Sequence, residues 1–69
     1  MSQAHLARQS LQFLRGKAHA LAEEVFPDRR ERYRWLVRNS PDIHMSRLSR
    51  EQLLQLIAKF ESTGSRNRS

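Results

Sequence analysis

The sequence predicts an all-α fold, a small three-helix domain with a long second connection and a disordered basic C-terminal tail. Three observations lead there. Apolar residues recur at steps of three and four through three successive segments, Pro27 and Pro41 separate those segments, and capping residues stand at the heads of the second and third. With 69 residues the chain holds one domain, placed at residues 1–64. A chain this short buries roughly 60% of the surface its unfolded form exposes, so its stability is expected to be marginal. Self-association is then a route to further buried area.

The first helix is expected over about residues 3–25, where Ala4, Ala7, Leu11, Leu14, Ala18, Leu21 and Val25 form a heptad seam. Leu6 and Phe13 flank the seam and widen the stripe, so this helix is expected to pack on more than one neighbour. Alanines on the seam let another backbone come close but bury little apolar area. Gly16 lies off the seam and costs about 1 kcal/mol relative to Ala, which allows a bend there.

Phe26-Pro27-Asp28 ends the first helix, because a residue before proline is driven from helical angles, and Asp28 is placed to cap the next turn. Glu31 completes an Asp-x-x-Glu capping box. The second helix should span 29–39, closed by Ser40-Pro41. The third, 50–61, has the strongest start signal: Ser49 at the cap, Gln52 at its reciprocal position, and Leu48 set to staple against Leu53. Leu53, Leu56, Ile57 and Phe60 form its apolar face, and Gly64 is expected to terminate it. Residues 65–69 lack apolar side chains and read as the disordered tail. Ile43 and Met45, in the long connection, should cover the open edge of the core. A connection of this length argues against a helix-turn-helix of the usual form.

Several function classes lack support. No apolar run approaches the ~20 residues of a spanning helix, and no secretory pattern opens the chain, so a soluble, cytoplasmic protein without a membrane partner is expected. The absence of cysteine agrees with a reducing compartment. His5, His19 and His44 offer no i,i+4 pair, so no metal is expected. Glu23 and Glu24 are sequential and diverge on a helix, which removes the obvious acid/base pair. No Gly-rich phosphate loop or nucleophile elbow occurs; neither catalysis nor a cofactor is expected.

The charge pattern is more informative. Net charge is +6, and of the 13 basic residues only Lys17 and Lys59 are not arginine. Arginine grips phosphate with a planar fork and stacks on bases, although a GC-rich genome also raises the Arg:Lys ratio. Five arginines, the only Trp and the only Tyr fall within residues 29–38. On that helix Tyr33, Leu36 and Val37 are expected to form the core face, with Arg30, Arg34 and Arg38 along an adjoining stripe. The stripe contacts phosphates, or it is a solvated face paired with Glu23, Glu24 or Glu31. Trp35 falls opposite Tyr33. Either the first helix or the 40–47 loop covers it, or it lies exposed among arginines, ready for base stacking. Arg47 and Arg50 stand near the head of the third helix, where phosphates are favoured. The candidate nucleic-acid-binding set is therefore Arg29, Arg30, Arg32, Arg34, Trp35, Arg38, Arg47 and Arg50.

Lys17-Ala18-His19 with Leu21, Tyr33-Arg34 with Leu36-Val37, Ser46-x-Leu48-Ser49, and Leu53-x-x-Leu56-Ile57 closing on Gly64 resemble the GemA-type regulators of Mu-like phages. Pro41-Asp42 stands where that family has a Gly-Lys turn. The resemblance implies a mobile-element protein that modulates host gene expression, with Tyr33 and Arg34 as the matched residues of functional interest. The expected function is a basic regulator of transcription or DNA transactions that binds nucleic acid, DNA ahead of RNA, through phosphates. The alternative is an adaptor or inhibitor on an acidic host protein, or a homodimer through Ala4, Leu11, Leu14 and Leu21.

Overall fold

The computed structural model describes residues 8–68, with side chains through residue 64. Three α-helices and one 3-10 turn make up the described fold: α1 (Leu11–Val25), α2 (Arg29–Asn39), the turn Met45–Arg47, and α3 (Arg50–Arg68). It is an all-α domain.

α1 starts later than its heptad pattern suggests. Ser10 takes extended angles and its hydroxyl accepts the Phe13 amide at 3.0 Å, so the helix begins at Leu11 and residues 8–10 are not helical. The seam positions Ala4 and Ala7, with Leu6 and His5, lie outside the described residues. At its other end Phe26 adopts φ −127° and ψ 81°, the departure from helix that a residue before proline is driven to make. Asp28 then caps α2, accepting the amides of Arg30 at 2.8 Å and Glu31 at 3.4 Å. α3 opens with the capping box: the Ser49 amide donates to Gln52 Oε1 at 2.9 Å and the Gln52 amide to Ser49 Oγ at 3.2 Å. Leu48 and Leu53, either side of the box, are both buried.

The expected stop near residue 61 is corrected. α3 passes through Gly64 without a positive φ and continues to Arg68. Gly64 marks a close approach rather than a left-handed turn, since a Cβ there would meet Val25 Cγ2 at 3.2 Å. The basic tail expected at 65–69 has its side chains outside the described residues.

The main helix pairing is α1 along α3. Leu14, Ala18 and Ala22 of α1 meet Leu53, Leu56, Ile57 and Phe60 of α3, with Leu36 of α2 and Met45 and Leu48 of the connection closing the core. The seam predicted for α1 holds at Leu14 and Ala18, but Ala22 rather than Leu21 is fully buried. Small residues allow the two backbones to approach; larger side chains at their flanks, Leu11, Leu21 and Val25, pack around the contact. Ile43 lies against the core and Met45 within it, the covering role the sequence suggests.

α2 is held differently. Its backbone approaches α1 and α3 sparsely, and its attachment runs through large side chains. Trp35 stacks on Phe60 with ring centroids 4.6 Å apart and lies 5.4 Å from Phe26, while Phe26 meets Phe60 edge-on at 6.4 Å. Three aromatics from three segments thus join at one end of the domain, each pair worth about 0.5–1.5 kcal/mol beyond burial. Two charged side chains reinforce the attachment: Arg32 Nη1 donates to the Phe26 carbonyl at 3.3 Å, and Lys59 Nζ on α3 donates to the Asn39 carbonyl at 2.7 Å. Each satisfies a carbonyl at a helix C-terminus that would otherwise need water.

Candidate nucleic-acid interface

The core-facing side of α2 is set one residue away from the face expected. Arg32, Trp35, Leu36 and Asn39, at i, i+3, i+4 and i+7, turn inward, and only Leu36 is fully buried. Tyr33 and Val37, expected inside, are 41% and 66% exposed. The physical reason is that two of the inward residues are polar and escape a search for apolar periodicity. The Arg32 stem packs while its head reaches the Phe26 carbonyl, and Asn39 Nδ2 donates back to the Trp35 carbonyl at 3.0 Å.

This rotation rearranges the candidate set. Arg29, Arg30, Arg34 and Arg38 are exposed, as a phosphate-contacting stripe requires. Arg32 is half-buried and serves the end of α1. Trp35 is covered by Phe26 and Phe60 and belongs to the hydrophobic cluster, so the reading of it as an exposed stacking platform is corrected. The exposed aromatic among the arginines is Tyr33, which the sequence pattern places in the core, whereas Trp35 takes the covered one of its two expected positions. Arg47 is exposed in the 3-10 turn. Arg50 is exposed at the first position of α3, with Nη1 donating to the Gln9 carbonyl across the start of α1.

Two shallow concavities map the exposed side. One, about 560 Å3, is lined by Arg29, Arg30, Tyr33 and Arg34. The other, about 410 Å3, has Phe26, Glu31, Arg34, Trp35, Arg38 and Asn39 in its wall, so an edge of the Trp35 indole is visible there. Arg34 borders both. The first groups three cations with a solvent-exposed ring, a combination that suits phosphates with a base beside them.

The described part of the seam considered for dimerisation packs within the domain. Leu14 is fully buried, and Leu11 and Leu21 pack against the same core. On the outer side of α1, Phe13 remains 48% exposed. Among the described residues no group of three or more His, Cys, Asp or Glu is placed to hold a metal ion, and no helix is long and apolar enough to cross a membrane. The chain matches no family model, no curated protein and no solved structure, whether of the GemA type or any other.

Proposed function

We propose that the chain is a small non-catalytic regulator that binds nucleic acid through phosphates along the exposed side of α2. Arg30, Arg34 and Arg38 carry the contact, Arg29 extends it at the head of the helix, and Arg47 adds charge from the turn. Arg32 and Trp35 hold α2 in place instead. The observation that supports this reading most is the concavity that Arg29, Arg30 and Arg34 line together with the exposed Tyr33. Phosphate contacts supply affinity and register with little sequence information, so the protein is expected to bind broadly. We read the nucleic acid as DNA ahead of RNA and the role as cytoplasmic, in transcription or DNA transactions; the resemblance of Tyr33-Arg34 to the GemA type is in keeping with a mobile-element role but supplies no mechanism.

One observation favours a second reading. Val37 is 66% exposed beside Tyr33, apolar area that phosphate contact does not need. An acidic protein surface with an apolar centre would use both.

Anisotropy of labelled duplex and single strands, at two salt concentrations, tests the first reading. Binding should weaken steeply with salt, the logarithmic slope falling by roughly 0.9 for each duplex phosphate contact removed. Replacing Arg30, Arg34 and Arg38 with Gln should abolish it. Undiminished affinity in that variant would defeat the interface, and no binding near about 100 mM salt would favour the protein partner.

A further inference from the structure

A second, more enclosed feature lies between α1, α2 and the 3-10 turn. It is a cavity of about 150 Å3 with one side open. Its floor is apolar, made by the core residues Ala22, Leu36 and Met45 with Ile43 against them. The rim carries His19 and Glu23 from α1 and Arg29, Arg32 and Tyr33 from α2. Two guanidinium groups against one carboxylate leave it positive. Arg32 is already fixed by its bond to the Phe26 carbonyl, so little side-chain freedom is lost when its remaining N–H groups take a ligand. The helix end contributes less, since the Asp28 carboxylate already accepts the Arg30 and Glu31 amides.

We propose that this cavity binds a phosphomonoester group. Its size is that of about five waters at roughly 30 Å3 each, and a phosphate head has as many heavy atoms. Arg29 and Arg32 face the charged oxygens, with His19 and the Tyr33 hydroxyl beside them. Glu23 looks misplaced in an anion site until the proton of the singly protonated group is considered: an ionised carboxylate is acceptor-only and receives the P–OH. A sulfate ion has no such proton, and an internal phosphodiester has neither the proton nor a free end to insert. The site is thus chemically separate from the open arginine face, with which it shares Arg29 and Tyr33. The same chemistry is offered by the 5′ end of a strand and by a free phosphorylated small molecule.

The test is NMR titration of the full chain with inorganic phosphate, phenyl phosphate and sulfate, and with dithymidine carrying a 5′-phosphate or a 5′-hydroxyl. The methyl signals of Ala22, Leu36, Ile43 and Met45 should shift with phosphate and phenyl phosphate, and sulfate should bind about tenfold more weakly, the loss expected when one charge-assisted hydrogen bond is missing. Arg29→Gln should weaken phosphate by a similar factor, and Glu23→Gln should narrow the gap between phosphate and sulfate. Both side chains are exposed, and unchanged amide spectra would show that the fold is intact. A response to the 5′-phosphorylated dinucleotide alone of the pair supports the site with a strand end as its source. A response restricted to the small phosphates supports it with a metabolite as its source. Silence of those methyl groups up to millimolar phosphate and phenyl phosphate would overturn the proposal, even if salt-sensitive duplex binding along α2 persisted. Conversely, methyl shifts without duplex binding would keep the pocket and remove the α2 interface.

Discussion

Trp35 and Tyr33 sit two positions apart on α2 with opposite surroundings: the indole lies 4.6 Å from the Phe60 ring, whereas Tyr33 is 41% exposed between arginines. Trp35→Ala should therefore cost stability near the lower end of roughly 3–5 kcal/mol, read by urea denaturation, because it empties a partly covered aromatic site. Tyr33→Ala should change stability by less than about 1 kcal/mol while weakening oligonucleotide binding by about 1–3 kcal/mol, the usual worth of one stacked base. Equal stability losses in the two variants would contradict this division. The sequence pattern points Tyr33 inward, which the structure reverses, and leaves Trp35 open between a covered and an exposed position, of which the covered one is found. Arg32 explains the rotation: it heads the inward i, i+3, i+4 series, where its stem packs and its head meets a carbonyl. A side chain that is apolar along its length and charged at its tip cannot be assigned to a face by residue type alone.

At the scale of elements, local signals read well where they were chemical. α2 occupies 29–39 as its Asp28 cap and Ser40-Pro41 closure indicate, and the reciprocal bonds of Ser49 and Gln52 start α3 where expected. Ser49→Ala should cost about 1 kcal/mol, seen as a lowered thermal midpoint. Glycine was harder to read, since a helix stop and a close helix contact demand the same residue. Gly64 proves to be the latter, and Gly16 neither. Nothing lies within 4 Å of a Cβ built on Gly16, so Gly16→Ala should stabilise the protein by about 1 kcal/mol in thermal or urea melts. Gly64→Ala should gain clearly less, because its methyl group must displace Val25 Cγ2 at 3.2 Å. An equal gain at both positions would show that the α1–α3 approach is slack.

The described residues form a flattened body of 30 × 28 × 16 Å. So thin a body has few layers in which to hide apolar surface, and α1 and α3, joined by small residues, provide most of its core. α2 is attached to that pair by an aromatic cluster, Leu36 and two capping cations. Native-state hydrogen exchange should accordingly release the α2 amides before those in the centres of α1 and α3. The proposed partner surface would then lie on the most readily opened helix, and bound oligonucleotide should slow exchange in α2 more than elsewhere. Full protection of all three helices at one common free energy would instead describe a single cooperative unit. Composition indicated one domain and a basic face, but it carried no information about which helix is the loose one, because that depends on backbone separation.

Trp35 is the chain's only tryptophan, and it is stacked where α2 meets α3. The protein thereby possesses an intrinsic optical gauge of that joint. An indole held at a fixed 25° to a neighbouring ring sits in a chiral environment and contributes near-ultraviolet circular dichroism, whereas the far-ultraviolet signal reports only that helices exist. Loss of the first with retention of the second, on mild heating or under dilute denaturant, would be the signature of α2 swinging free with its own turns intact.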